Sequence, residues 1–376
     1  MPQWRDASRS PVGERSRSSS TLTAAVRNSS VGFDRRQMSA GDLAVTVSRA
    51  PGIARVIDTL ERLVPSRANR PTIVAYHRVQ YPRARPGLAD TLIDASPPSF
   101  EDHMELLASR YRVLPMADLL AAKRRGHPVP SRAVVITFDD AYRDFTEYAW
   151  PVLRRLALPV TLFVPTGYPD RSDRSFWWDR LYTAIMSAPS GLVSTTMFGP
   201  LGLSDDESQR LRTHRRLTAA LKAMSHFEML AACDRLMDEL NAGDLPTSAA
   251  PVLSWEHLRK LEQAGVSLAP HSRTHPRLDR LPEDLLGDEI AGSYRDLIDA
   301  GTSPLPILAY PDGAYSPAVI RATRAAGMEI AVTMDRGGNH AGATSWLALR
   351  RLGQSPRVNR ALLQAQLLVW GRQSAL

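Results

Sequence analysis

Short apolar runs alternate with amphipathic stretches over most of this chain. Six runs are rich in β-branched residues and are typical of buried strands: 72–76, 133–136, 160–164, 265–269, 307–310 and 329–333. The stretches between them place apolar residues at helical spacing, as in 99–110, where Phe100, Met104 and Leu107 share one face. Strands that alternate with helices predict an α/β fold whose parallel sheet is wound or closed into a barrel.

Residues 166–253 interrupt this alternation. The segment contains no convincing strand pattern, and its apolar residues recur at helical spacing. We therefore predict a helical insertion at 166–253. An insertion that follows a barrel strand lies at the C-terminal rim of the barrel, which is where active sites form.

The N-terminal part of the chain differs in composition from the rest. Residues 1–70 hold 12 Arg and 6 acidic residues, so they carry most of the net charge of +8. The Ser- and Arg-rich segment 1–50 lacks hydrophobic periodicity and is predicted to be a disordered basic tail. A short amphipathic helix and linker are predicted at 51–70, followed by one catalytic domain at 71–376.

Composition excludes several classes of protein. The chain is 43% apolar and 23% charged, which is typical of a soluble globular protein, and its one cysteine excludes an internal disulfide. No apolar run is long enough for a transmembrane helix, and no secretory signal is visible. A cytoplasmic location is expected, with peripheral membrane contact through the basic N-terminus as the alternative. No aromatic–basic pattern supports nucleic-acid binding.

A pair of carboxylates follows the strand at 133–136. Asp139 and Asp140 stand side by side where the strand ends, so both can reach one pocket. Two like charges this close resist joint ionisation unless a cation intervenes, so one could bind a metal while the other accepts a proton from water. The alternative is that Asp139 or Asp140 caps a helix that starts near Tyr142.

A pair of imidazoles follows the strand at 265–269. His271 and His275 are four residues apart and are bracketed by Pro270 and Pro276, so they belong to a loop. Together with the aspartate pair they supply a set of two histidines and one carboxylate with open coordination positions, as in hydrolytic zinc sites.

These motifs identify a family resemblance. The T-F-D-D run at 137–140, the H-S-x-x-H run at 271–275 and the A-Y-P-D-G run at 309–313 resemble the polysaccharide deacetylases of the NodB type, carbohydrate esterase family four. The Tyr-His-Arg-Val run at 76–79, which contains His77, is similar to the first motif of many family members. The resemblance covers about 71–165 and 254–352 and implies a distorted seven-stranded (β/α) barrel.

The resemblance also implies roles. Asp139 is then the general base. Three residues would hold one divalent metal ion, expected to be zinc: Asp140, His271 and His275. Tyr310, Pro311, Asp312 and His77 would contact the substrate. The implied enzyme is a hydrolase that removes N-acetyl groups from a cell-surface or exopolysaccharide-type glycan. The alternatives are a barrel hydrolase of a small amide and a non-catalytic glycan-binding relative.

The chain departs from the family pattern at three positions. Ala309 stands where an arginine often holds the base, and Arg350 or Arg351 is the candidate substitute. Asp312 stands where an aromatic residue is common. The usual late histidine, the general acid, is missing. His340, in a Gly-rich loop, is the candidate acid, and the alternatives are His77 and a protonated Asp139.

Overall fold

A computed structural model describes residues 40–63, 67–84, 88–171, 174–241 and 251–371. Its central feature is a six-stranded sheet in which every pairing is parallel. The sheet strands are β1 (Thr72–Tyr76), β4 (Arg112–Val113), β5 (Ala133–Phe138), β6 (Thr161–Val164), β9 (Ser267–Pro270) and β12 (Leu352–Gly353). The spatial order is β12-β1-β5-β6-β9, and β4 pairs with β5. The predicted α/β architecture is confirmed.

The other short strands form three separate two-stranded sheets. The remaining strands are β2 (Arg78–Val79), β3 (Ile93–Ala95), β7 (Gly191–Thr195), β8 (Gly199–Leu203), β10 (Ile307–Ala309) and β11 (Ile330–Val332). The pair β10–β11 is parallel, and a parallel bridge joins Val332 to Leu349. All residues of β1, β5 and β6 are buried, which explains their unbroken apolar, β-branched sequences.

Helices cover the sheet and follow the predicted alternation. They are α3 (Pro97–Arg110), α4 (Met116–Arg125), α5 (Trp150–Arg155), α9 (Trp255–Gln263), α10 (Glu283–Asp299), α11 (Pro317–Ala325) and α12 (Arg360–Trp370). The caps agree with the sequence: Ser254 and Asn359 accept hydrogen bonds from the first turns of α9 and α12. On α3, the predicted apolar face, which includes Phe100 and Met104, is buried in the main core.

The segment between β6 and α9 forms a separate small core. It contains α6 (Trp177–Ser187), the antiparallel hairpin β7–β8, α7 (Glu207–Lys222) and α8 (His226–Glu239). Apolar residues from all of these elements make one cluster, among them Leu181, Leu201 and Leu236. The prediction that 166–253 contains no strand is therefore wrong. Only two or fewer side chains of each hairpin strand are buried, so the sequence pattern of this hairpin is weak.

Two helices precede the sheet, α1 (Ala40–Ser48) and α2 (Ile53–Leu63). The amphipathic helix predicted within 51–70 corresponds to α2. It lies on the domain: Gln364 of α12 donates hydrogen bonds to Asp58 and Glu61, and Ile57 is buried. Residues 1–39 of the predicted disordered tail lie outside the described residues, and α1 falls within the last part of the 1–50 range. Within the described part of the chain, no helix is both long and apolar enough to cross a membrane.

Candidate functional site

Four neighbouring strands, β1, β5, β6 and β9, end at one edge of the sheet, and titratable residues follow three of them. Tyr76 pairs with Phe138 at the ends of β1 and β5, and Val164 pairs with Pro270 at the ends of β6 and β9. The next residues along the chain are His77, the Asp139–Asp140 pair and His271. Because the strands are parallel, these side chains meet at one edge, as predicted.

Asp140 contacts both histidines of the H-S-x-x-H loop. Its Oδ1 lies 3.2 Å from His275 Nε2 and 3.5 Å from His271 Nε2. One ligand atom from each of the three residues can be chosen so that all lie within 4.8 Å of one another. Burial opposes ionisation of Asp140, but the two imidazoles outweigh it and hold the pKa of this carboxyl well below its usual range. Asp140 Oδ1 is buried and receives no hydrogen bond, which suits an oxygen that binds a cation.

Two loops carry the candidate metal ligands, the Asp139–Asp140 loop and the H-S-x-x-H loop at 271–275, and we call them the ligand loops. Their backbone adopts the left-handed region at non-glycine residues. The φ angles are 68° at Asp140, 50° at Ala141, 61° at Ser272 and 58° at His275. Such conformations are costly and cluster at functional sites. The alternative that Asp139 or Asp140 caps a helix is wrong, because the next helical turn begins at Phe145, after Asp144.

A hydrogen bond fixes the orientation of His271. Its Nδ1 lies 2.8 Å from the carbonyl oxygen of Ala309. A carbonyl can only accept, so Nδ1 donates, and Nε2 of the neutral ring faces Asp140 with a free lone pair. Metal-binding histidines usually have such a partner for the other ring nitrogen. Ala309 stands where the family pattern often has an arginine, and its backbone carbonyl accepts the hydrogen bond that orients His271.

Asp139 is held by Arg351. The guanidinium makes two hydrogen bonds to the carboxylate, Nη1 to Oδ1 at 2.8 Å and Nη2 to Oδ2 at 2.6 Å, and both side chains are buried. Burial would raise the pKa of Asp139, but Arg351, with His271 and His77, lowers it below the usual range. Of the two candidate substitutes for the missing arginine, the structure selects Arg351. Arg350 instead lies against Gly337.

His77 borders Asp139 and forms a dyad with Asp94. His77 Nδ1 is 3.1 Å from Asp94 Oδ2, and His77 Nε2 is 3.9 Å from Asp139 Oδ2. Burial lowers the pKa of His77, whereas Asp94 and the aspartate pair raise it, for a net rise to about 9. The ring is 24% exposed, so it is open to an incoming molecule.

The third motif follows β10. Tyr310 is buried, and its hydroxyl donates to the carbonyl of Leu347 at 2.9 Å, so this side chain supports the core. Pro311 begins a tight turn in which Asp312 has φ 58°. Gly313 is required here, because a Cβ would lie 2.2 Å from the backbone nitrogen of Met334. Asp312 Oδ1 faces Lys222 Nζ of α7 at 2.6 Å.

The structure does not bring His340 to the site. The N–H of Ala341 donates to the carbonyl of Asn69 at 2.9 Å, and Asn339 donates to the carbonyl of Pro71. Asn69 and Pro71 precede β1, whereas the aspartate pair follows the ends of the strands. The five residues of β1 span roughly 16 Å, so His340 lies at the opposite edge of the sheet. Its expected role as the general acid is not compatible with this position.

A sequence profile described as polysaccharide deacetylase matches residues 126–331, more than half of the chain. The chain belongs to the polysaccharide deacetylase family. The family comprises hydrolases that act on N-acetyl carbon–nitrogen bonds, so the predicted family and enzyme class are confirmed. The matched range includes the T-F-D-D and H-S-x-x-H motifs.

Solved structures show the same fold. The deacetylase PplD of Streptococcus pyogenes, in complex with acetate, has a TM-score of 0.54 and 18% identity over 79% of this chain and 98% of that chain. IcaB of Ammonifex degensii has a TM-score of 0.51 and 16% identity over 80% of this chain and 98% of that chain. The predicted NodB-type fold is confirmed.

A shorter sequence match involves a curated relative. Over 57 residues the chain is 37% identical to the poly-β-1,6-N-acetyl-D-glucosamine N-deacetylase of Escherichia coli (strain K12). The match covers 15% of this chain and 8% of the relative, so the chain spans less than a tenth of that protein.

Two pockets lie where the insertion faces the barrel. The first contains the metal-ligand candidate His275 and Asp312. Its other lining residues include Trp177, Trp178, Lys222, His226 and Arg277. The second, which is open to solvent, shares Trp177 and His226 and adds Tyr168 and Phe227. The two pockets therefore border one another along the insertion.

Sequence reasoning missed several residues that contact the site. Asp94 comes from β3, Lys222 from α7 and Trp178 from α6, and each reaches the site through contacts between distant segments. No periodicity or spacing marks them. Trp177, the neighbour of Trp178, is buried in the core of the insertion.

Proposed function

We propose that the chain is a metal-dependent hydrolase that removes N-acetyl groups from an N-acetylated cell-surface or exopolysaccharide-type glycan. The observation that carries the proposal is the convergence of Asp140, His271 and His275 beside the arginine-held Asp139. Membership of the polysaccharide deacetylase family supports the reaction class. The N-acetylglucosamine polymer in the name of the Escherichia coli relative supports the class of substrate.

The three proposed ligands fit a divalent cation of the zinc type. Two imidazole nitrogens and one carboxylate oxygen are ligands that zinc prefers, and a set of three leaves a position for water or substrate. A cation held there would polarise the acetyl carbonyl and ease deprotonation of water. The residues suit it, because His271 is oriented by Ala309 and Asp140 Oδ1 is buried without a hydrogen bond.

Asp139 is proposed to receive the proton of the attacking water. Its Oδ2 lies 4.0 Å from His271 Nε2, so it borders the ligand set without belonging to it. Arg351 keeps this carboxylate ionised and fixes both of its oxygens. A base that is rigid and ionised at neutral pH is suited to general-base catalysis.

His77 is proposed to donate the proton that the leaving nitrogen requires. Among the histidines that border Asp139, His77 is outside the proposed ligand set. The hydrogen bond between Nδ1 and Asp94 orients its ring and directs Nε2 toward the Asp139 side of the pocket. Asp139 and His77, whose Oδ2 and Nε2 atoms are 3.9 Å apart, thus supply a neighbouring base and acid.

The pockets support a glycan rather than a small amide as the substrate. The metal-ligand candidate His275 borders a pocket with the indoles of Trp177 and Trp178, the carboxylate of Asp312 and the cation of Arg277. Aromatic faces with a few polar groups are typical of specific ligand sites. The neighbouring open pocket extends this surface for further sugar units. A small amide would need none of this surface.

The deciding experiment is acetate release from a panel of N-acetylated oligosaccharides. The purified protein is assayed as prepared, after treatment with chelator, and after chelator followed by zinc. We expect release that chelator abolishes and zinc restores. Release from a small acetamide but from no oligosaccharide would favour the small-amide alternative. Oligosaccharide binding without release, in zinc-loaded protein, would favour the glycan-binding alternative.

A further inference from the structure

A chain of buried hydrogen bonds joins the insertion to the Asp139–Asp140 loop. Asp179 lies in α6 of the insertion, and its Oδ2 accepts a hydrogen bond from the hydroxyl of Tyr142 at 2.7 Å. Asp179 Oδ1 accepts from the N–H of Ala89 at 2.7 Å. The indole N–H of Trp178 donates to the Tyr142 oxygen at 2.9 Å. Asp179 and Tyr142 are each only 1% exposed, so the two bonds that Asp179 accepts are protected from water, whereas the bond from Trp178 is partly buried.

Tyr142 anchors a strained segment of backbone. It follows Asp140 and Ala141, which both have positive φ. Such residues cost on the order of 1–3 kcal/mol each and persist only where the surroundings fix them. The backbone is fixed at one side by the N–H of Leu253, which donates to the carbonyl of Ala141 at 2.9 Å. The Tyr142 hydroxyl supplies a second anchor through Asp179 of the insertion.

Trp178 contacts the other ligand loop as well. Its ring centroid lies 4.9 Å from that of His275, with an edge-to-face angle of 68°. The indole also stacks flat on Phe176, at 4.4 Å and 9°. His271 is oriented by a backbone carbonyl, whereas the ring of His275 is bordered by the rings of Phe176, Trp178 and His271. The hydrogen bond from Trp178 to Tyr142 therefore connects the two ligand loops.

We propose that Trp178, Tyr142 and Asp179 are positioning residues of the metal site, so that the insertion is part of the metal centre. Trp178 sets the ring of His275, and Tyr142 sets the backbone of Asp140. Asp179 holds Tyr142 from the insertion side. This inference rests on the proposed metal role of Asp140, His271 and His275 and extends it to a segment outside the family motifs.

Conservative variants test the proposal in the full chain. Tyr142→Phe removes the hydroxyl and keeps the ring, and Trp178→Phe removes the indole N–H and keeps an aromatic face against His275. Zinc affinity is measured by competition with a chromophoric chelator, and the melting temperature is measured without metal. Since partners of metal ligands typically contribute about 10–100-fold in affinity, we expect zinc binding to weaken within that range in both variants. The absorption spectrum of the cobalt-loaded protein should shift, because it reports ligand geometry.

Lys222→Met is the matched control. Lys222 also joins the insertion to the barrel through its ion pair with Asp312 and lines the pocket that His275 borders, but among the described residues no hydrogen bond or ion pair links it to Tyr142, Asp140 or His275. We expect this variant to keep the zinc affinity and cobalt spectrum of the parent chain. Asp179→Asn, which alters the anchor of Tyr142, should weaken zinc binding.

Three outcomes are informative. Parent-like zinc affinity and cobalt spectra in both phenylalanine variants would overturn the proposal. Zinc binding that weakens equally in Lys222→Met would also overturn the proposal, because any loosening of the contact between the insertion and the barrel would then lower the zinc affinity. A parent chain that binds no zinc, cobalt or other divalent cation would instead refute the proposed function, on which this inference rests.

Discussion

Replacement of Arg351 by methionine tests whether Arg351 keeps the carboxylate of Asp139 ionised and in position as a general base. Arg351 is fully buried and makes two hydrogen bonds to Asp139 and one from Nε to the carbonyl of Thr333 at 2.8 Å. Arg351→Met leaves a buried carboxylate without its cation. Breaking a buried ion pair in this way typically costs about 3–5 kcal/mol of unfolding free energy. We expect a loss of that size in urea unfolding.

The same change should alter the pH dependence of activity. Burial is the largest influence on Asp139 and raises its pKa, and Arg351 is the largest influence that lowers it. Without Arg351 the pKa of Asp139 rises. Because a general base must be ionised, the acidic limb of kcat/KM should move to higher pH. Each unit of this movement corresponds to about 1.4 kcal/mol of lost preference for the ionised form.

Two further variants make the test specific. Arg350→Met changes the adjacent arginine, which lies against Gly337, and should keep the parent pH profile. The double variant Asp139→Asn/Arg351→Met removes both charges, so it should be more stable than the sum of the single changes predicts, with a coupling on the order of 1–3 kcal/mol. Acetate release is measured from pH 4 to 9 on the best substrate of the oligosaccharide panel. If Arg351→Met keeps both the parent stability and the parent acidic limb, Arg351 does not hold the base.

Three other predictions concern the site and the core. Each alanine variant of the proposed ligands should lose the bound metal in elemental analysis, and full retention by all three would refute the assignment: Asp140→Ala, His271→Ala and His275→Ala. In pH–rate profiles, His77→Ala should lose on the order of 10²–10⁴-fold in turnover, as expected for a lost proton donor, while His340→Ala should match the parent; the reverse result would contradict the placement of both residues. Burial lowers the pKa of His103 to about 4, so its neutral form is favoured in the folded protein. The unfolded chain therefore binds the extra proton first as pH falls below 6.5, and by pH 4.5 this should remove roughly 2.5 kcal/mol of stability that His103→Gln would not lose, measured by urea unfolding at pH 7 and pH 4.5.

The main elements of the site could be predicted from sequence because of the geometry of parallel sheets. Asp139, Asp140 and His271 each follow a buried strand directly, and the ends of neighbouring parallel strands lie at one edge. The strands could be recognised in the sequence because fully buried strands are continuously apolar. The site residues that follow strand ends could therefore be positioned from the sequence, without information on contacts between side chains.

The error at His340 has a physical cause that was present in the sequence. The chain leaves β11 at Val332 on the site edge and enters another parallel pairing at Leu349. A connection between parallel strands must return to the opposite edge before the next strand begins. Residue 340 lies midway in this return. The Gly337–Gly338 pair indicates a flexible backbone but not the edge at which it lies.

The hairpin of the insertion was missed for a different reason. Strands are recognised by alternation of buried and exposed side chains, and β7 and β8 bury only Thr195, Leu201 and Leu203. Gly199, Gly202 and Pro200 weaken the pattern further, because all three are disfavoured in strands. The helices beside the hairpin were predicted correctly because their apolar faces form the core of the insertion.

The residues that hold the catalytic groups were the least predictable, and this follows from how they act. Arg351 is 212 positions from Asp139, and Asp179 is 37 positions from Tyr142. A buried polar side chain is placed by its partner and not by the period of its own helix or strand, so no local pattern reports it. The family motifs mark residues that touch a metal or a substrate, whereas Trp178 and Asp179 lie in a segment without motifs. The proposal therefore assigns part of the metal affinity of this chain to a segment that lies between the T-F-D-D and H-S-x-x-H motifs. The zinc affinity of Trp178→Phe, compared with that of Lys222→Met, measures this contribution directly.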